Sequence, residues 1–136
     1  MVRVQSVLVA VGTRSGIPVV YMAETVSLAV LENLAQMARE DFPTGYVLVA
    51  ALLTEEVRVL IEEDLTLQFG RISQRHLGDR WFDLRVSAVL RVRSAIVPFE
   101  HNYLLNPQHP DFAAIAAEPV VRFIFDERLF GSRQTR

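Results

Sequence analysis

The sequence predicts an α+β fold. Apolar runs of strand length outnumber helical segments, the two kinds follow one another in mixed order, and only one long segment keeps a helical period. Strands are expected at Gln5 to Val11 and Ile17 to Met22, where apolar residues run without charge. A helix is expected from Val26 to Glu40, with Thr25 placed to cap it and Pro43 beyond its end. Tyr46 to Leu53 and Val57 to Ile61 read as paired strands, Gly78 to Leu84 as a short helix, and Val86 to Val92 and Tyr103 to Leu105 as strands. Asp111 to Ala117 reads as a helix and Val120 to Phe125 as the last strand.

Composition narrows what such a domain does. The 136 residues contain no repeat, low-complexity tract or linker, so one domain is expected over 1–130 with a polar tail over 131–136. A domain of this size removes roughly two-thirds of its unfolded surface from water and folds without a disulfide or structural metal. Cysteine is absent, which excludes thiol nucleophiles and zinc ribbons and is compatible with a reducing cytoplasm. The 14 cations, all arginine, against 16 acids give no basic footprint for direct nucleic-acid binding. The apolar run Val7 to Val11 is too short to span a bilayer and lacks a cleavage pattern, so a cytoplasmic chain with no membrane partner is expected.

At 100° per residue the polar side chains of the long helix fall on one narrow stripe of Thr25, Glu32, Gln36 and Arg39. The rest is nearly all apolar, so the helix is expected to be packed on most sides. Glu32 then lies either on a thin solvent-facing seam or on the wall of a cleft. The second informative stretch is Ser87 to Phe112, an apolar strand followed by a lone serine, Ser94, and a loop dense in Asn, Pro and His. Such loops on a rigid scaffold are where chemistry is usually placed. No G-x-S-x-G elbow surrounds Ser94, so an acyl-transfer triad is not expected. Asn102, Asn106 and His109 are read as tying the loop's own backbone together. Trp81 and Phe82 are read as core, and Glu62, Glu63 and Asp64 as a solvated turn with no metal.

Together these segments resemble the RES domain, a family best known as the toxin half of bacterial toxin–antitoxin pairs. Its pattern G-x-P-V-V-Y-x-A-E-x-x-x-L-A-x-L-E stands here as Gly16, Pro18, Val19, Val20, Tyr21, Ala23, Glu24, Leu28, Ala29, Leu31 and Glu32. A second pattern, from G-x-x-W to E-x-N-Y-L-L-N-P-x-H-P-D-F, is matched by Gly78, Trp81, Ser87, Val89, Leu90, Val92, Ser94, Pro98 and Glu100, and then by Asn102 to Pro107 and His109 to Phe112. A closing echo is carried by Phe123, Asp126, Arg128, Leu129 and Phe130.

The resemblance implies a compact domain like the ADP-ribosyltransferase and diphtheria-toxin class, with small mixed sheets around a central cleft for NAD. It implies cleavage of NAD at the nicotinamide–ribose bond by hydrolysis or phosphorolysis, or transfer of ADP-ribose to a protein. NAD is then the substrate and no metal is involved. Tyr21 is carried over as the aromatic that orients the nicotinamide ribose, Glu32 as the acid, and Ser94 as the hydroxyl at the cleft. The family's glycine-rich G-G-R-W-N segment, whose arginine reaches the phosphates, is curtailed here to Gly12, Thr13, Arg14, Ser15 and Gly16, and Arg14 is the nearest candidate. Val92 and Ser94 flank Arg93 where the family has proline. The implied partner is an Xre-type helix-turn-helix antitoxin, with homo- or hetero-oligomers left open. The alternative is an inactive RES-fold binding module. The chemistry fits these residue types. Cleaving the glycosidic bond builds positive charge on the ribose, which a fixed carboxylate stabilises, while nicotinamide leaves neutral and needs no acid.

Overall fold

The computed structural model describes residues 4–13, 21–37 and 42–131. Eight strands are hydrogen-bonded into one mixed ladder. They are β1 (Val4–Thr13), β2 (Tyr21–Ala23), β3 (Tyr46–Thr54), β4 (Val59–Ile61), β5 (Val89–Arg93), β6 (His101–Leu105), β7 (Ala116–Ala117) and β8 (Val121–Arg122). Their order is β4-β5-β6-β2-β1-β3-β7, with β8 also on β3. Helices α1 (Val26–Gln36), α2 (Glu62–Phe69) and α3 (Gln74–Asp83) complete the α+β architecture.

β1 and β3 pair antiparallel over nearly their whole length, whereas among the described residues β1 and β2 share the register pair Val9↔Ala23. The seam between β2 and β1 divides the order into β4-β5-β6-β2 on one side and β1-β3-β7 on the other. One face is covered continuously: Leu8, Ala10, Met22, Leu53, Tyr103 and Leu105 pack beneath Phe112 and Ile115. The other face is covered in two separate patches. α1 lies over Val9, Val11 and Ala23 together with Phe125, and α2 and α3 lie over Leu60, Leu90 and Val92. The cleft opens between those patches.

Several expected elements differ from this. β3 and β4 are not partners: β4 runs parallel to β5, because α2 and α3 form the crossover that parallel pairing requires. Glu62, Glu63 and Asp64 are not a turn but the first turn of α2, where acidic residues favour the helix N-terminus. α3 begins four residues before the expected Gly78, capped by the Ser73 hydroxyl. Asp111 to Ala117 is a 3-10 turn over Pro110–Ala114 followed by β7, since Pro110 starts a turn that does not propagate. Of Val120 to Phe125 only Val121–Arg122 is strand. Beyond it the Phe123 amide still donates to the Tyr46 carbonyl at 2.9 Å, while the Phe123 and Phe125 rings pack edge-on at 5.0 Å, with Phe125 fully buried against Tyr46 at 5.1 Å. The long helix ends at Gln36, with Thr25 capping it as expected through the Leu28 amide. It is less enclosed than its composition suggests: Leu28 and Ala29 are buried, while Val26 and Leu31 are exposed. Trp81 is core, its indole N–H donating to Ser87 Oγ at 2.8 Å.

Candidate active site

α1 is fixed over the seam by Asn33. Its amide donates to the carbonyl of Val11 on β1 at 2.8 Å and to the Ala29 carbonyl one turn back at 2.9 Å. One turn of α1 therefore docks on β1 just past the Val9↔Ala23 pair. That docking brings Glu32 to the mouth of a cavity of about 240 Å³ whose walls include Val11, Tyr21, Ala23, Glu32, Gln36 and Asn102. Tyr21 also borders a second cavity of about 400 Å³, floored by Trp81, Phe82 and Leu104 and edged by Arg93.

The polar groups converge on one carboxylate oxygen. Ser94 Oγ donates to Glu32 Oε2 at 2.8 Å, and Asn102 Nδ2 donates to the same atom at 2.6 Å. Asn102 Nδ2 also donates to the Tyr21 hydroxyl at 3.0 Å. Tyr21, Glu32 and Ser94 are thus brought together, from β2, α1 and the segment following β5. Arg14 lies outside the described residues. Glu32 is on the cleft wall and not on a solvent seam.

Ser94 stands behind the carboxylate. It is 1 % exposed, it accepts from the amides of Ile96 and Val97 at 3.1 and 3.0 Å, and its proton goes to Glu32. With donor and acceptor capacity occupied, it is not free to act as a nucleophile. Tyr21 is 37 % exposed. Its phenol is held above the ordinary value of 10.0, first by burial, then by the Glu32 charge, against the opposing pull of the Asn102 hydrogen bond. It therefore keeps its proton at neutral pH. Among the described residues Glu32 Oε1 and the Tyr21 proton have no protein partner. The cavity thus offers one charged acceptor and one neutral donor beside apolar walls, a set suited to a sugar hydroxyl next to a centre that becomes positive.

A family model described as the RES domain matches residues 12–126. The chain belongs to the RES family. It is 40 % identical over 124 residues to a protein of Pseudomonas putida named Toxin Res, covering 86 % of this chain and 83 % of that one. It is 35 % identical over 102 residues to Toxin Res of Photorhabdus laumondii, covering 71 % of this chain and 65 % of that relative's length. A Sphingobium protein named Prs ADP-ribosylating toxin is 32 % identical over 123 residues, covering 84 % of this chain and 76 % of that one.

In this RES domain the loop polar residues divide into two kinds. Asn106 is structural as expected: it is fully buried, donates to the Phe82 carbonyl at 3.2 Å and accepts from the Gln108 amide at 2.9 Å. His109 likewise caps the following turn by accepting from the Asp111 amide. Asn102 is the exception. The expectation that it ties the loop together is overturned, because β6 begins at His101 and so places Asn102 on a strand face, toward Glu32 and Tyr21. Its signal in the sequence is its alternation with Leu104, visible only once the strand is started two residues before Tyr103. Among the described residues no group of three or more His, Asp or Glu is placed to hold a metal, and no helix is long and apolar enough to cross a membrane.

Proposed function

We propose that this RES domain is a toxin that cleaves NAD at the nicotinamide–ribose bond, with the cavity at Glu32 as the site of cleavage. The observation that carries this reading is the immobilised carboxylate. Two neutral donors hold Oε2 while Oε1 is left to the cavity beside an amphipathic ring. As the bond to nicotinamide breaks, positive charge grows on the ribose, and a carboxylate already oriented stabilises it without reorganising. Oε1 accepts from a ribose hydroxyl, and the neutral Tyr21 phenol donates to the same sugar or to its ring oxygen's neighbourhood. Nicotinamide departs uncharged, so the cleavage needs no general acid.

The acceptor of the ADP-ribosyl group is water or phosphate on this reading. Transfer to a protein is the second reading, favoured by the name of the Sphingobium relative. The three are separated by one experiment. The purified chain is given NAD with and without inorganic phosphate, nicotinamide release is measured, and adenine-labelled NAD is followed into free ADP-ribose, its phosphorylated form or protein. Free product that gains a phosphate names phosphorolysis, and label retained on protein names transfer. No nicotinamide release under any condition would favour an inactive binding module instead. We further propose a cytoplasmic toxin neutralised by an Xre-type helix-turn-helix antitoxin. Growth arrest on expression alone, relieved by co-expression of the antitoxin, tests that pairing.

A further inference from the structure

Asn102 is out of place in the packing around it. The register pairs set Val9, Ala23, Asn102 and Val92 side by side across β1, β2, β6 and β5. The other three are apolar and at most 7 % exposed, and Asn102 is 1 % exposed. A strand position of this kind ordinarily holds a β-branched or aromatic residue. The amide must be stripped of water to sit there, and its Oδ1 is buried with no hydrogen-bond partner among the described residues. Fold stability therefore gives no account of the residue.

Its contacts do. One Nδ2 group divides its two hydrogens between Glu32 Oε2 and the Tyr21 hydroxyl. The first bond, with that of Ser94, occupies Oε2 and leaves Oε1, on a residue that lines the cavity, without a partner among the described residues. The second makes the phenol oxygen an acceptor, so that the phenol proton is turned away from the strand and is available to donate. We propose that Asn102 is a positioning residue: its shared amide sets Glu32 and Tyr21 as one acceptor and one donor at the cavity, in exchange for stability that an apolar residue would supply. What the pair acts on rests on the NAD reading; the positioning itself does not.

Two variants test it. Asn102→Val continues the apolar row with a branched side chain and removes both donors, and Asn102→Leu keeps close to the shape of the amide while removing them. For Asn102→Val a melting temperature equal to or above that of the parent is expected, with kcat for NAD loss reduced on the order of 100-fold and KM changed by less than about 3-fold. A residue of merely structural role gives the reverse, a lowered melting temperature with kcat per folded molecule preserved, and that result would overturn the proposal. The second readout needs no NAD. Side-chain NMR of the Glu32 γ-methylene is expected to show one fixed rotamer in the parent and averaging in both variants. A Glu32 side chain equally fixed in the folded variants overturns the proposal even if the parent consumes no NAD. If Asn102→Val does not fold, stability is what the amide provides and the proposal falls unless Asn102→Leu, folded, shows both the kcat loss and the averaging.

Discussion

Ser94 and Asn102 donate to the same oxygen of Glu32, yet the consequences of losing them differ. Ser94 also accepts from two backbone amides that shape the segment from Ile96 to Glu100, so Ser94→Ala is expected to lower stability by about 1–2 kcal/mol and NAD loss together, read by thermal melting and by initial rate. Asn102→Val is expected to separate those two effects. At Tyr21 the sign of the pH dependence follows from the raised phenol. A group whose proton is held more tightly in the folded state supports that state below its unfolded value and loses that support as pH rises through the folded value. An alkaline decline of activity attributable to Tyr21 is therefore displaced upward from that of an ordinary phenol, with its midpoint above pH 10.0, and is absent from the rate profile of Tyr21→Phe. The sequence singled out Tyr21, Glu32 and Ser94 by the spacing of their motifs, and the fold brings the three together. It hid Asn102 because a polar residue next to a Pro- and Asn-dense loop reads as part of that loop until the strand's start is known. Spacing alone also left Glu32 undecided between seam and cleft, which only the docking of α1 resolves.

The elements that aim the site are α1 and β6. α1 carries Glu32, and its seat on β1 depends on the Asn33 amide at the Val11 carbonyl. Asn33→Ala frees that buried carbonyl and loosens the helix. A stability loss of about 1 kcal/mol or more is expected, with NAD loss reduced although residue 33 lies a step past the carboxylate; unchanged kinetics would show that packing alone seats α1. The long periodic helix and the β1 and β3 runs were legible because their apolar patterns are sustained. The short elements were not. α2 starts with three acids that resemble a solvated turn, yet acids at a helix N-terminus are stabilising. The run from Asp111 was expected to be helical, but Phe112 and Ile115 close over the core from a 3-10 turn that ends within five residues. At the chain's aromatic end, Asp126 caps a final 3-10 turn over Glu127–Phe130 and pairs with Arg128 at 3.0 Å. Arg128 holds the Asp126 carboxyl down at about 2, so this cap persists at neutral pH and is lost only as pH falls toward that value.

Across the whole molecule the candidate site lies by the seam where β2 meets β1, on the face of the sheet whose coverings form two separate hydrophobic clusters. α1 covers one side, α2 and α3 the other, and Tyr21 stands where both cavities border it. Neither the strand order nor the parallel β4–β5 pair was readable from the sequence, since both arise from contacts between segments far apart in the chain. The α+β class was readable, because it depends only on how many segments of each kind occur and in what succession. Membership of the RES family rests on the match over residues 12–126, and the geometry adds an oriented carboxylate to it. The central claim is that this carboxylate is where NAD is cleaved. The most direct measurement is the rate of nicotinamide release from NAD by the purified chain beside its Glu32→Gln variant, both verified as folded by thermal melting. Release by the parent that falls at least about 100-fold in the variant is the expected result. Equal release by the two, or none by the folded parent, would contradict it.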